Sequence, residues 1–553
     1  MVQHRLGREH LTDEELVKRN GLVLDYDEIA RKGGMSKEEG LVSKWYGVYG
    51  SRQKGDHMAR VVNPGGKLSS AQIRVLAALG EKVSPGLVSF TTRQSVQLHK
   101  IKVEDIPVMM RDLATVGMTT FHGCGDVNRN VAACPWASEC KYRRFDVRDT
   151  AVATDKLIAD SRDLDNLPRK FKITLNGCSG NCAQPFINCC NGIAVARKKP
   201  DGTTEEGFRV VIGGGMGWKP FVAQELYSFV PKALMPQISR AVAILFRDRG
   251  DRTHRRFARL KYVVARAGIP KCREYLEAIY QDQGIDSSGF LTESIEDVGP
   301  IVPDRPLLDP NPRDDDDLAI QRIMVPKGEI EAKALLRVAE LSEMYGDKFV
   351  YSTNRQNLEL HGVNPQKLTA LRIEIEKLGL HAEGFFGLQD VVTCVGTKYC
   401  PLAVTYTHGM FDRLQEIVHD EKFKPIRERI VVNITGCPNS CSPYHIADIG
   451  LRGLRIRRDV GSVEGYQIKI GGTQECFGEV LGEFAGYDCL RVVRTVLEAF
   501  LMWVQETGYA GTLADHVQSE GIGLYRDAVA TLGIDYTLGQ APNPQEFSVG
   551  DKL

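Results

Sequence analysis

Cysteines in four short pairs are the residues of this sequence best suited to metal chemistry. Eight of the fourteen cysteines fall into these pairs. In chain order the pairs are Cys134 and Cys140, Cys178 and Cys182, Cys394 and Cys400, and Cys437 and Cys441. The spacing alternates between C-x5-C and C-x3-C, and thiolates are soft ligands for zinc, copper(I) or iron–sulfur clusters. Four thiolates from two separated segments favour a 4Fe-4S cluster, with zinc or buried structural cysteines as the alternatives.

Basic residues lie close to the first cysteine pairs in the sequence. Lys170 and Lys172 share one face of an alternating segment that leads into Cys178, with apolar residues on the other face. Arg129 lies five residues before Cys134, and Arg60 precedes an Asn-Pro-Gly-Gly turn. Each of these charges alone is typical of an ordinary protein surface. Together they would build a cationic pocket beside a redox metal.

The cysteine pairs are part of a longer order of landmarks that occurs twice. A Thr-x-Arg-Gln segment precedes each set, at 91–99 and 353–361, and a Glu-Gly-aromatic segment with following glycines comes after each, at 206–215 and 464–472. This order indicates an internal duplication of roughly 230–260 residues, which is too long a period for a solenoid. Residues 300–317 are rich in Pro and Asp, which predicts a solvated linker between the copies.

Each copy is predicted to contain both helices and strands. Residues 70–80 and 332–344 have helical periodicity. Residues 87–99 alternate as a strand does, with an apolar face and a polar face that includes Arg93, Gln97 and His99. Such a polar face is either solvated or lines a binding cavity, and its repetition at 349–361 favours the cavity.

The bulk composition limits the possible classes of function. The 553 residues suit two to four domains, with 42% hydrophobic and 26% charged residues. A formal net charge of zero gives no reason to expect nucleic acid or a membrane as partner. The charged first residues lack the apolar core of a secretory signal, which predicts the cytoplasm. In a cytoplasmic chain, cysteines favour metal or redox work over disulfides.

Taken together, these residues resemble the siroheme-dependent sulfite and nitrite reductases, among which the ferredoxin-type assimilatory sulfite reductases are most similar. The resemblance runs from Trp-Tyr-Gly-Val-Tyr at 45–49 to about residue 510, and its most specific element is C-x5-C followed by Gly-Cys-Pro-Asn-x-Cys. It implies an α+β, pseudo-twofold duplicated architecture, in which each half has a ferredoxin-like α/β subdomain followed by a siroheme/Fe-S α/β subdomain. The predicted boundaries are 1–122, 123–299, the linker 300–317, 318–385 and 386–553.

The resemblance also implies roles for individual residues. Cys394, Cys400, Cys437 and Cys441 would hold the main 4Fe-4S cluster, and Cys441 would bridge to the siroheme iron. The residues implied in anion binding and proton donation are Arg60, Arg129, Lys170 and Lys172. The residues implied in binding the siroheme carboxylates are Arg93, Gln97, Arg256, Arg259 and Lys261.

The N-terminal half departs from the usual family pattern because it keeps a complete second set of cysteines. Cys134, Cys140, Cys178 and Cys182 are expected to bind a second cluster, with a vestige of the duplication as the alternative. A second catalytic centre is disfavoured. The positions that match Lys170, Lys172 and Arg129 in the second copy are Arg429, Val431 and Gln389.

Cys124 is a further feature that the resemblance marks. Some ferredoxin-type members join a cysteine at this position covalently to a tyrosine, and the matching tyrosine here is Tyr49. A buried free thiol is the alternative. The cysteine favours sulfite over nitrite as substrate.

The function implied is the six-electron reduction of sulfite to sulfide at a siroheme coupled to a 4Fe-4S cluster. Reduction of nitrite to ammonia at the same site is the alternative within enzymes. A non-catalytic Fe-S or siroheme electron carrier is the alternative of another class, and the cationic pocket argues against it. The sequence contains no evident flavin or nicotinamide module, so electrons are expected from ferredoxin or a separate flavoprotein.

Overall fold

The computed structural model describes residues 15–17, 21, 23–303, 313, 318–459 and 461–539. The strands of the first half are β1 (Val48–Gly50), β2 (His57–Val61), β3 (Lys67–Ser69), β4 (Leu87–Phe90), β5 (Val96–Ile101), β6 (Ala132–Ala133), β7 (Ile173–Asn176), β8 (Cys190–Lys198), β9 (Thr204–Ile212) and β10 (Gln224–Pro231). Those of the second half are β11 (Ala319–Ile323), β12 (Glu329–Glu331), β13 (Phe349–Ser352), β14 (Leu358–Val363), β15 (Val392–Thr393), β16 (Val432–Thr435), β17 (Ile449–Arg458), β18 (Gly461–Ile470) and β19 (Glu479–Ala485).

The helices cover the sheets on their outer faces. Those of the first half are α1 (Tyr26–Lys32), α2 (Lys37–Val42), α3 (Ser70–Val83), α4 (Ile106–Ala114), α5 (Arg148–Asp160), α6 (Met235–Arg249) and α7 (Leu260–Gln283). Those of the second half are α8 (Ala332–Tyr345), α9 (Leu368–Glu376), α10 (Gly396–Tyr399), α11 (Thr407–Val418), α12 (Cys489–Thr507), α13 (Leu513–Glu520) and α14 (Gly523–Ala530). The helices predicted at 70–80 and 332–344 are thereby confirmed as α3 and α8. Within the described residues, no helix has the length and apolar character needed to cross a membrane.

Two antiparallel sheets, each with strands from both halves, form the ferredoxin-like part. Their strand orders are β1-β2-β5-β4-β12 and β11-β14-β13-β3. Strand β12 of the second half pairs with β4, and β3 of the first half pairs with β13. Helices α3 and α8 pack together over these sheets, and their apolar faces enclose one shared core. The two half-domains therefore fold as a single unit through exchanged strands.

The strand predicted at 87–99 is wrong as a single element. The chain instead forms a hairpin of β4 and β5 around a tight turn at residues 91–95. The backbone N–H of Thr91 donates to the carbonyl of Ser95, and Gln94 adopts a left-handed φ of 62°. The alternation survives because Ser89 pairs with Gln97 across the hairpin, which keeps the polar residues of both strands on one face. The segment at 349–361 folds the same way, as β13 and β14.

Each half carries a second domain with the same sheet. In the first half β6, β7 and β8 are parallel, and β9 and β10 continue the sheet antiparallel. Strands β15 to β19 repeat this order and direction. Each domain has its own apolar core. Since each cysteine pair follows one of the first two parallel strands, the pairs meet at one edge of the sheet.

The predicted linker at 300–317 lies largely outside the described residues, which include 300–303 and Arg313 of it. At Arg313 the prediction of a solvated segment is wrong. This residue is only 6% exposed, its side chain forms an ion pair with Glu139, and its backbone forms a β-bridge with Cys140. The partly buried carboxylate of Glu139 on the first half holds this arginine, because burying Arg313 without an opposite charge would be costly.

The two hairpin turns tie the halves together around a pseudo-twofold axis. The side-chain amide of Gln94 donates to the carbonyls of Ser352 and Ala133, at 2.9 Å each, and its oxygen accepts from the Ala133 N–H at 2.9 Å. In the matching position, Gln356 donates to the carbonyl of Phe90 at 3.1 Å. Gln94 is fully buried, so water does not satisfy these backbone groups in its place.

We expect Gln94→Ala to destabilise the protein strongly. The substitution leaves three buried backbone groups without their partner, and such losses together cost about 3 kcal/mol. Thermal unfolding followed by circular dichroism should show a lower midpoint for this variant. The exposed Gln366 supplies the control, since Gln366→Ala should leave the midpoint unchanged. Equal midpoints for the two variants would contradict the bridging role of Gln94.

Candidate functional site: a cationic cavity bordered by four cysteines

A cavity of about 500 Å³ lies between the ferredoxin-like part and both cysteine-bearing domains. Its lining includes eight basic residues: Lys44, Arg60, Arg93, Arg129, Arg169, Lys170, Lys172 and Arg255. Among the described residues that line it there is no Asp or Glu. The size is that of sites for large organic ligands, and the charge favours a polyanionic ligand or an anionic substrate.

The four cysteines of the C-terminal half form one wall of this cavity. Cys394, Cys400, Cys437 and Cys441 all line it. The backbone positions them: Cys394 follows β15 and its N–H donates to the carbonyl of Ile434 at 3.2 Å, while Cys437 follows β16. The thiol of Cys394 accepts from the N–H of Gly436 at 3.2 Å, and such bonds to sulfur tune iron–sulfur potentials. Cys441 is the exposed member of the set.

Two arginines on neighbouring segments face the cavity with their orientation fixed. Arg60 on β2 is paired in register with Gln97 on β5. When the side-chain amide of Gln97 is oriented with its oxygen towards Arg60, Nη2 of Arg60 donates to that oxygen at 2.7 Å. Arg129 donates from Nη2 and Nε to the carbonyl of Gly125, at 2.8 and 3.1 Å. Both guanidinium groups also donate to the carbonyl of Gly123, so one loop holds the pair together.

Lys170 and Lys172 reach the cavity from the segment that enters β7. Phe171, between them, is fully buried in the apolar core, which confirms the alternation predicted from the sequence. Burial, followed by the nearby Arg259 charge, lowers the pKa of Lys170 to about 7. Burial, followed by the Arg93 charge, holds the pKa of Lys172 well below its usual value. Lysines in this state release a proton readily.

Of the five residues predicted to bind the siroheme carboxylates, two line the cavity. Arg93 lines the cavity, but its guanidinium donates to the carbonyls of Asn130 and Ile173, at 2.6 and 2.7 Å. Gln97 lines the cavity and orients Arg60. Through these contacts, Arg93 and Gln97 hold neighbouring parts of the cavity wall in place.

The remaining three predicted residues lie outside the described lining of the cavity. The Arg256 guanidinium stacks over the ring of Trp218 at 3.8 Å, and Arg259 donates to the thiol of Cys189 at 3.2 Å. Lys261 donates to the carbonyl of Met216 at 3.0 Å. Their contact with siroheme stays a prediction.

Sequence reasoning missed two arginines of the lining, and it placed His99 on the polar face predicted to line a cavity without giving this residue a role. Arg169 and Arg255 both form ion pairs with the buried Asp126, at 3.4 and 2.9 Å, which fixes them beside Lys170. His99 stacks on Tyr399 with ring centroids 4.2 Å apart, and both of its ring nitrogens are buried without a partner. The polar face of the predicted strand at 87–99 was the signal that could have marked His99.

The cysteines of the N-terminal half also come together, in a small separate cavity. Cys134, Cys140, Cys178 and Cys182 line it with Trp136, Arg143, Asn176 and Gly177. The backbone repeats the C-terminal pattern at Cys134, whose N–H donates to the carbonyl of Leu175 at 3.0 Å. The thiol of Cys178 accepts from the N–H of Gly180 at 3.4 Å. All four thiols are buried and none forms a disulfide.

Side chains fill the place where pseudo-symmetry would put a second large cavity. Trp136, which takes the position of Gly396 in its loop, is 1% exposed and donates to both carboxylate oxygens of Glu359, at 3.0 and 3.1 Å. Arg322 and Glu359 are paired in the register where Arg60 and Gln97 stand in the first half. Further contacts come from His361, which lies between the carboxylates of Glu359 and Glu139 at 3.2 and 3.3 Å.

Comparisons with known proteins agree with this geometry. The family model of the nitrite/sulfite reductase ferredoxin-like half domain matches residues 49–116 and 311–378, and that of the nitrite and sulphite reductase 4Fe-4S domain matches residues 124–282. An assimilatory ferredoxin-dependent nitrite reductase of Haloferax mediterranei is 31% identical over 84% of this chain and 85% of its own. The chain belongs to the nitrite and sulfite reductase family.

Other members of the family support the same assignment. A ferredoxin sulfite reductase of Mycobacterium tuberculosis is 30% identical over 85% of this chain and 88% of its own. The structure of the Mycobacterium tuberculosis NirA protein superposes with a TM-score of 0.78 at 27% identity, covering 93% of this chain and 97% of that one. The duplicated α+β architecture predicted from the sequence is thereby confirmed.

The chain is therefore an oxidoreductase of the sulfite and nitrite reductase type, with siroheme and a 4Fe-4S cluster as cofactors. The large cavity fits this pair of groups. Its basic, acid-free lining suits the carboxylates of siroheme, its volume suits a tetrapyrrole, and four thiols in one wall suit a cubane. The unpartnered nitrogens of His99 and the orphaned amide oxygen of Gln356 are further polar groups that a bound ligand would satisfy.

We expect Cys441→Ser to remove both the cluster and the bound siroheme, because the variant loses one iron ligand and the proposed bridge between the two groups. Iron analysis and the visible spectrum of protein purified without oxygen measure this. Cys476→Ser is the matched control, since Cys476 is also exposed but lies outside both cysteine sets. Full siroheme absorption in Cys441→Ser would refute the assignment of this ligand.

Proposed function

We propose that the large cavity catalyses the six-electron reduction of sulfite to sulfide. The observation that carries the proposal is a lining in which the described residues include eight bases and no carboxylate, closed on one side by the four cysteines of the C-terminal half. When bound, siroheme and its coupled cluster supply single electrons and an open iron position for the anion. An electron carrier would not need so many positive charges around an open space.

The arginines and the lysines of the cavity have different roles in the proposed reaction. The planar guanidinium groups of Arg60 and Arg129 suit the oxygen atoms of a bound oxyanion. The Gly123 loop holds both guanidinium groups, so little ordering remains when the anion binds. Lys170 and Lys172 have lowered pKa values and donate the protons that allow water to leave.

Cys124 favours sulfite over nitrite in this proposal. Its buried thiol lies 3.3 Å from Nη1 of Arg60, directly behind the anion-binding group. This is the cysteine that the resemblance to ferredoxin-type sulfite reductases marks. Nitrite reduction to ammonia is the second candidate, favoured by the Haloferax mediterranei relative, which is named as a nitrite reductase.

The two substrates are separated by steady-state kinetics with a common chemical reductant, with sulfide and ammonia measured as the products. We expect the larger kcat/KM for sulfite. A larger kcat/KM for nitrite would assign the second function instead. Failure to reduce either anion by a protein loaded with siroheme and cluster would overturn both.

The covalent bond between Tyr49 and Cys124 stays a prediction. Tyr49 lines the cavity, and burial followed by the nearby Cys124 thiol raises the pKa of its phenol. The Cys124 thiol also lies 3.7 Å from the carbonyl of Gly47. Mass analysis of peptides from unreduced protein decides the question, since a crosslink joins the peptides that contain the two residues.

The proposed electron donor is a ferredoxin, as in the names of the relatives. A separate flavoprotein is the alternative donor. The exposed Cys441 and the 65% exposed Leu402, which lines the same cavity, bring the cysteine wall close to the surface. Single-electron transfer from a docked protein requires such proximity. The cytoplasm stays the predicted location.

The pH dependence of turnover tests the role of Lys170. Burial lowers its pKa to about 7, so the protonated donor is present below that pH and is lost as the pH rises through it. With nitrite as substrate, whose own titration lies far below this range, kcat/KM should fall about tenfold per pH unit on the alkaline side. An arginine in Lys170→Arg stays protonated, so kcat/KM of this variant should no longer fall on the alkaline side of the pH profile. Lys199→Ala, at an exposed position, should keep the alkaline fall of the wild type. An unchanged limb in Lys170→Arg would exclude Lys170 as its origin.

A further inference from the structure

We propose that Cys134, Cys140, Cys178 and Cys182 hold a second 4Fe-4S cluster that has no siroheme beside it and that stores an electron for the catalytic centre. The inference goes beyond the proposed function and rests on it only for the source of the electrons.

The first support is that the backbone around these cysteines repeats the C-terminal site. Cys134 and Cys394 each follow the first parallel strand of their sheet and donate to the matching carbonyls of Leu175 and Ile434. In both sets the glycine that precedes the second pair donates its N–H to the sulfur of the first cysteine, Gly177 to Cys134 and Gly436 to Cys394. A fold that presents four thiols in the same way at two places presents the same ligand geometry to iron.

The second support is the chemistry of the four thiols. They line one cavity, they are 6–7% exposed, and none is used in a disulfide. A zinc site needs ligands that converge on one point with Zn–S distances of about 2.3 Å. Among the described residues, no three His, Cys, Asp or Glu side chains converge in that way, in either cysteine set. Thiols that share a chamber without converging suit a cubane, in which each sulfur binds a different iron.

The third support is that no room remains for a tetrapyrrole here. Trp136 and Glu359 fill the space, with the Arg322 guanidinium 4.6 Å from the Trp136 ring. The turn of the second hairpin closes over Cys182, the counterpart of the bridging cysteine. Asn354 donates to the Cys182 carbonyl at 2.9 Å. A cluster at this position therefore transfers electrons without binding substrate.

A short path of bonds joins the two cysteine sets. Ala133, next to Cys134 in the chain, exchanges hydrogen bonds with Gln94. Two residues before Gln94, the Thr92 hydroxyl donates to the carbonyl of Cys441 at 3.0 Å. The turn at 91–95 thus touches both sets and provides the route for an electron. The transfer oxidises the N-terminal cluster by one electron and reduces the C-terminal cluster by one, and the protein donor of the proposed function replaces that electron.

Iron, acid-labile sulfide and coulometric measurements on the full chain test the inference. Purified and reconstituted without oxygen, the protein should contain about nine irons and eight sulfides and should accept about three electrons before substrate is added. In Cys178→Ala these values should fall to about five irons and two electrons, with the siroheme absorption unchanged. Cys272→Ala, another buried cysteine outside both sets, should retain about nine irons.

Several results would overturn the inference. Wild-type protein with about five irons after reconstitution would do so without any variant, as would a Cys178→Ala variant that keeps about nine. If Cys178→Ala does not fold, the iron content and electron count of the wild type decide alone. About eight irons without siroheme absorption would support the second cluster and count against the proposed function instead.

Discussion

The hydrogen bonds between the two hairpin turns are the constraint on which the rest of the arrangement depends. Gln94 binds the carbonyl of Ser352, and Gln356 binds that of Phe90, so each turn is held by the other half of the chain. The exchanged strands β3 and β12 reinforce the same contact. Each turn also contacts a cysteine loop of a different domain. Thr92 donates to the carbonyl of Cys441, and Asn354 donates to the carbonyl of Cys182.

On this nearly symmetric scaffold, a few side chains decide what each half does. In the first hairpin the neutral Gln97 orients Arg60 and leaves its charge available to an anion. In the second hairpin the carboxylate of Glu359 occupies the same register opposite Arg322, and Trp136 closes the space above. The Arg322 guanidinium lies 3.7 Å from the Glu359 carboxylate, so the second hairpin holds an internal ion pair where the first has the neutral Gln97 beside Arg60. The internal duplication produced two similar backbone arrangements, and one of them contains the cationic cavity.

Local patterns in the sequence predicted much of the site. The cysteine spacing marked the two sets of four cysteines that each line one cavity, and a period of two placed Lys170 and Lys172 together on one face. Features that depend on distant partners were not predictable in this way. The strand exchange joins residues more than 200 positions apart, and the turn at 91–95 does not interrupt the alternation that suggested a single strand. Arg255 rather than Arg256 lines the cavity, where it forms an ion pair with Asp126, a partner more than 100 positions away in the sequence.

One of the two related sites is an open, cationic cavity for siroheme, and side chains fill the other. The amount of siroheme extracted from protein purified without oxygen, divided by the amount of chain, shows how many of the two sites bind siroheme. We expect one siroheme per chain when the protein is fully loaded. Two sirohemes per chain would show that the space occupied by Trp136 opens to bind a second one, and none in fully reconstituted protein would show that the large cavity serves another ligand.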